Sequence, residues 1–150
     1  MAMSGVAVNE ECVTVFESLK MGRQFLYIIY RVTDDLRTIK VEEIGSHCQT
    51  YEDFVQRLKD AESKRQCRYA VFDVKFYQNA MPQQRLAFFL WFVLTRRSPD
   101  TATTQQKMLY SSSKMTLLKK LEGIPVVLQC NDDDDLSMCN VLDRCISKYK

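Results

Sequence analysis

The sequence is poor in histidine, glycine and proline, and each shortage excludes something. One histidine, His47, in 150 residues leaves little material for a zinc centre or for a Ser-His-Asp or Cys-His catalytic device. Four glycines and three prolines exclude collagen-like and Pro/Gly-rich disordered chains. The sequence contains no Gly-x-Gly-x-x-Gly, Walker loop, His-Glu-x-x-His or Gly-x-Ser-x-Gly. No apolar run reaches the roughly 18 residues that a membrane-spanning helix needs. Charge is nearly balanced, 21 basic against 19 acidic residues, net +2, which argues against a whole-surface field for nucleic acid. The expectation is a non-enzyme without cofactor, metal site, nucleic-acid partner or transmembrane segment.

Core material, in contrast, is ample. Apolar residues make up 46% of the chain, enough to bury a core in one domain spanning residues 1–150. There is no internal repeat and no linker rich in Gly, Ser or Pro. The six cysteines (Cys12, Cys48, Cys67, Cys130, Cys139, Cys145) form no Cys-x-x-Cys pair. Met1-Ala2-Met3-Ser4-Gly5 lacks the basic-then-apolar layout of a secretory signal. The thiols therefore read as small buried hydrophobes in a reducing cytoplasm.

Periodicity supplies the elements. Asn9 caps a helix to Lys20, whose apolar stripe is Cys12, Val13, Phe16 and Leu19. Phe25–Val32 and Thr38–Ile44 read as strands of a hairpin, the first central and the second half-exposed. Thr50-Tyr51-Glu52-Asp53 is a capping box that opens a second helix. The charged run Lys59–Arg65 reads as a solvated loop. Arg68–Phe76 and Arg85–Leu94 read as strands on either side of a Met81-Pro82 loop. Ser98-Pro99-Asp100 starts a long helix to Leu121, with a bend expected at Ser111-Ser112-Ser113, and Gly123 and Pro125 stop it. Val126–Cys130 is a fifth strand. A last helix carries Met138, Leu142, Cys145, Ile146 and Tyr149 on one side, with Asp132–Asp135 loading its N-terminal end. The order α-β-β-α-β-β-α-β-α implies an α/β fold with a central five-stranded mixed sheet and helices on both faces.

Few residues carry chemistry. His47 reads as a solvated loop residue. Asp132–Asp135 lack the alternating ligands and central glycine of a calcium loop. The remaining signal is cationic: Lys107 and Lys114 lie seven apart on the long helix, with Met108 between them and Lys119 and Lys120 beyond. Such a face suits an acidic protein surface or phosphoinositide headgroups.

The segment Ser98-Pro99-Asp100-Thr101-Ala102 … Lys107-Met108-Leu109-Tyr110-Ser111-Ser112-Ser113-Lys114 strongly resembles the signature of the actin-depolymerising factor/cofilin family. Ser4-Gly5-Val6-Ala7-Val8 resembles that family's N-terminal arm, Thr50-Tyr51-Glu52-Asp53-Phe54 its second helix, and Cys67-Arg68-Tyr69-Ala70-Val71-Phe72-Asp73 its third strand. Leu121-Glu122-Gly123 and Leu128-Gln129 continue the match along nearly the whole chain. The resemblance implies a protein of the cytoplasmic actin cytoskeleton that binds ADP-loaded actin, severs filaments and depolymerises them; a monomer is the default expectation. It assigns monomer binding to Ser4, Gly5, Val6, Lys107, Met108, Lys114, Lys119 and Lys120. It assigns filament binding to Arg85, Asp143 and Arg144, and makes Ser4 a regulatory phosphorylation site.

Departures from the family pattern are equally specific. Residues 92–97 form an insertion between Trp91 and Ser98. Thr103 replaces a proline. Gln105, Met115, Leu118, Gln83 and Ser147 stand where charged residues are common. Two alternatives follow: a monomer-sequestering relative with weak filament engagement, and a phosphoinositide or protein interaction module on the same scaffold.

Overall fold

The computed structural model describes residues 6–22, 24–64, 66–91, 101–130 and 134–147. In chain order the elements are β1 (Ala7–Val8), α1 (Glu10–Gly22), β2 (Tyr27–Val32), β3 (Thr38–Gly45) and α2 (Tyr51–Ser63), then β4 (Arg68–Gln78), β5 (Met81–Trp91), α3 (Thr101–Lys120), β6 (Val126–Cys130) and α4 (Met138–Ser147). The strands form one mixed sheet in the order β1-β3-β2-β4-β5-β6. The sheet is thus six-stranded rather than five-stranded. The extra strand is β1, two residues that pair in parallel with β3 through Ala7 opposite Thr38 and Val8 opposite Ile39.

Alternation along β4 and β5 builds two cores. Tyr69, Val71, Leu86, Phe88 and Leu90 pack on one face with Cys12, Phe16 and Leu19 of α1 and Tyr110, Leu117 and Leu121 of α3. Ala70, Phe72, Val74, Ala87, Phe89 and Trp91 pack on the other with Phe54 and Leu58 of α2 and Val141 and Cys145 of α4. Both faces of the central strands are therefore buried, which is why these strands read as nearly continuous apolar runs.

Local signals set the helix starts. Asn9 caps α1, its Oδ1 accepting the Glu11 N–H at 2.8 Å. The capping box at α2 is reciprocal: the Asp53 carboxylate accepts the Thr50 N–H at 2.9 Å, and Thr50 Oγ1 accepts the Asp53 N–H at 3.2 Å. Replacing Thr50 with alanine removes one of these bonds. It is expected to cost about 1 kcal/mol, measurable as a shift in urea midpoint at unchanged slope.

Two expectations need correction. First, α2 continues through Lys59–Ser63, where the charged run suggests a loop. Buried Ala61 gives that last turn an inward residue, and Gln56 Nε2 bonds the Asp60 carboxylate at 2.9 Å one turn on. Second, Met81-Pro82 belongs to β5, and the turn is Asn79-Ala80, both in the left-handed region with φ of 54° and 64°. A two-residue hairpin turn of that hand normally calls for glycine at its second position, so the alanine hides it. The cap of α4 is Ser137, whose Oγ accepts the Asn140 N–H at 3.2 Å, with Asp134 and Asp135 in the turn before the helix. The helix α3 is continuous from Thr101 to Lys120, through the serine triplet. The proposed insertion at 92–97, the Ser98-Pro99-Asp100 start, Asp132, Asp133 and Tyr149 lie outside the described residues.

Candidate actin-binding surfaces

The long helix α3 is pinned to the sheet by its inward residues Tyr110, Ser113, Leu117 and Leu121, all buried. Tyr110 is bonded at both ends. Its hydroxyl accepts the Val32 N–H at 2.9 Å, a donor lying past the last β2–β4 pair, Tyr30 opposite Tyr69. Its carbonyl accepts the Tyr69 hydroxyl at 2.5 Å, with the two rings 4.8 Å apart. Burial raises the pKa of both phenols above the usual tyrosine value, so they stay protonated across the physiological range. Gln106 Oε1 accepts the Cys67 N–H at 3.2 Å. At the far end Lys20 Nζ donates to the Glu122 carbonyl at 3.0 Å, beside Gly123 in its left-handed conformation.

These contacts fix the rotation of α3 and decide what it presents. Met108, Ser111, Ser112, Met115, Lys119 and Lys120 are exposed, and Lys107 and Lys114 are half-buried. Strand β1 packs against α3, and Val6 before it is buried in the same core. Val6 thus packs its side chain into the core instead of presenting it to solvent. Ser4 and Gly5 lie outside the described residues.

The second cluster lies on the opposite face of the sheet. Arg85 stands across from Val74, on the α4 side. It is half-buried, its guanidinium carbon 5.9 Å from the centre of the Phe76 ring, and its Nη1 donates to the Gln84 carbonyl at 2.8 Å. Burial pushes the Cys145 thiol of α4 up in pKa, and the charge of Arg85 opposes that shift. The neighbouring Asp143 and Arg144 are exposed, and Arg144 Nη2 donates to the Val127 carbonyl of β6 at 3.2 Å. Beyond Arg85 the β4–β5 hairpin runs past its neighbours to a tip where Tyr77 and Met81 are 74% and 60% exposed. By strand alternation Met81 shares the Arg85 face and Tyr77 takes the other. Sequence reading passed over Met81 as a loop residue. The signal that marks it is the distance to which the hairpin extends, which depends on pairing.

The family profile described as cofilin/tropomyosin-type actin-binding protein matches residues 5–146. The chain belongs to the cofilin/actin-depolymerising factor family. Actophorin of Acanthamoeba castellanii is 37% identical over 148 residues, covering 99% of this chain and 100% of the relative. Actin-depolymerizing factor 9 of Oryza sativa subsp. japonica is 40% identical over 136 residues, covering 90% and 91%. Among solved structures, the cofilin of Streptomyces griseoflavus matches with a TM-score of 0.77 at 34% identity, over 93% of this chain and 96% of that one. The cofilin family is one of actin-binding proteins rather than enzymes.

Among the described residues no group of three His, Cys, Asp or Glu could hold a metal ion, and no helix is long and apolar enough to cross a membrane. A groove of about 360 Å³ between α2 and the start of α4 is lined by Tyr51, Val55, Leu136 and Met138 with Glu52 and Lys59. Burial pushes the Cys12 thiol up to about 12 and raises Cys145 as well. Cys67 and Cys130 are also buried, whereas Cys48 and Cys139 are exposed. Only thiolates react, so at pH 8 a thiol reagent is expected to label Cys48 and Cys139 quickly and the other four only after unfolding. Mass spectrometry of the labelled native protein checks this.

Proposed function

We propose that this protein binds actin monomers and filaments and promotes filament severing, depolymerisation and turnover, through one surface on each side of its sheet. The α3 surface, with Lys107, Met108, Lys114, Lys119, Lys120 and the arm from Ser4 to Val6, takes one actin subunit. The surface of Arg85, Asp143 and Arg144, extended by Met81, takes its neighbour in the filament. The observation that carries this reading is the placement of α3 and α4 on opposite faces of one rigid sheet. A single domain can then touch two adjacent subunits and bias the geometry between them. Actin in its ADP form is the proposed target, in the cytoplasm. Lys119 and Lys120, exposed at the negative end of the α3 dipole, are proposed to take phosphoinositide headgroups in competition.

The test is filament co-sedimentation. Protein in the pellet with rising soluble actin supports depolymerisation. Rising soluble actin without pelleted protein points to monomer sequestration. No change in either, with no binding to monomers, would leave only a non-actin interaction module. The sequestering reading has specific support: Arg85 is half-buried over Phe76 and Arg144 is engaged by Val127, so the filament-side cations are partly committed within the fold.

Ser4 is proposed as the regulatory position. A phosphate there would add about −1.5 to −2 charges to an arm proposed to meet actin. Ser4→Glu is expected to weaken monomer binding, with the loss shrinking as salt rises. A titration at two ionic strengths reads both effects.

A further inference from the structure

We propose that Met115 is an actin-binding residue, forming with Met108 an apolar ridge on α3, flanked by lysines, that packs against an apolar patch of actin with acidic groups beside it. The inference rests on the actin-binding reading above and adds a contact to it. Helix α3 carries the dipeptide Lys-Met twice, at Lys107-Met108 and Lys114-Met115, seven residues apart. Seven residues fall about 20° short of two full turns, so the second pair repeats the orientation of the first roughly 10 Å along the axis. In both pairs the methionine is the outward residue: Met108 is 67% exposed and Met115 56%, while each lysine is half-buried. This inverts the usual arrangement, in which the charged side chain takes the solvent and the apolar one the core.

The space between the two methionines is low. Ser111 and Ser112 are exposed there, and Ser112 Oγ is tied back to the Leu109 carbonyl at 3.1 Å. The helix therefore presents two flexible apolar knobs across a serine saddle, each with a cation at its side. Packing does not account for the ridge: the inward stripe of Tyr110, Ser113, Leu117 and Leu121 already anchors α3. Methionine adapts its shape to a partner and contributes burial without charge. The ridge thus supplies affinity that salt does not screen, where the lysines supply affinity that it does.

The experiment is a titration of fluorescently labelled monomeric actin with the parent protein and with Met115→Ala, Met115→Leu and Met21→Ala. Met21 is an exposed methionine on α1 and serves as the control. Met115→Ala is expected to bind about fivefold or more weakly, the effect of withholding an apolar side chain of this size from an interface. That loss should be the same at low and moderate salt. Met115→Leu and Met21→Ala should bind like the parent. Because Met115 is exposed, thermal unfolding of the variants should be unchanged, which separates a contact from a folding defect. Affinity of Met115→Ala within twofold of a parent that does bind overturns the inference and leaves the actin reading standing. A parent that binds no monomeric actin overturns the inference, and overturns the actin reading as well if it also leaves filaments unchanged in co-sedimentation.

Discussion

Replacing Arg68 with alanine is expected to lower stability by about 2–3 kcal/mol, a fall in Tm of roughly 4–12 °C for a chain of this size. Arg68 is a charged residue only 3% exposed. Its guanidinium makes four hydrogen bonds: Nε and Nη2 to the two Glu42 oxygens at 2.7 and 3.0 Å, Nη1 to the Cys67 carbonyl at 2.7 Å, and Nη2 to Gln66 Oε1 at 2.8 Å. Glu42 reaches it across β2 because the ladder slips there. Ile29 pairs with Glu43 and Tyr30 with Val41, leaving Glu42 without a partner. A bulge of this kind re-aims a side chain. Alanine at 68 would strand these acceptors, and the cost is moderated because the Glu42 side chain is one-third exposed. Glu42→Gln keeps the bulge and most of the bonds, so it should cost less than half as much. A loss for Arg68→Ala below 1 kcal/mol in urea unfolding would sink the account.

The second large effect is on binding. The double variant Lys107→Ala/Lys114→Ala is expected to bind monomeric actin about 30-fold or more weakly, if each cation contributes about 1 kcal/mol or more to a desolvated pair. The loss should shrink at high salt, unlike that of Met115→Ala. Both lysines are half-buried, so their stems cover apolar surface. Lys→Gln at both positions retains much of that cover and isolates the charge. Equal losses for the alanine and glutamine variants would assign the effect to charge. An alanine variant within threefold of the parent would remove these lysines from the contact.

Much of the architecture was legible in local pattern. Val126–Cys130, a short apolar run after Gly123 and Pro125, is a strand at those bounds. Asn9 and the Thr50–Asp53 box mark helix starts because a cap is a contact between residues three apart or fewer. The Lys107–Lys114 spacing marked α3 as the carrier of the candidate site for the same reason, since seven residues bring a helix back to one side.

What lay outside that reach shares one physical cause: it depends on residues far apart in the chain. Strand β1 is too short to have a period and exists because β3 offers a free edge. The Asn79-Ala80 turn adopts left-handed angles that alanine does not advertise, stabilised by the long β4–β5 ladder on either side. Val6 is buried and Arg68 is buried, one an arm residue and the other a charge, because the packed helices and the bulge at Glu42 make room for them. The sequence by itself determined the main elements and their order and, through spacing along the chain, the lysine cluster of α3, while family resemblance alone pointed to Arg85, Asp143 and Arg144. Only the tertiary structure decided that those clusters lie on opposite faces of the sheet and that Met115 and Met81 point outward, because a side chain's exposure is set by what packs against its neighbours.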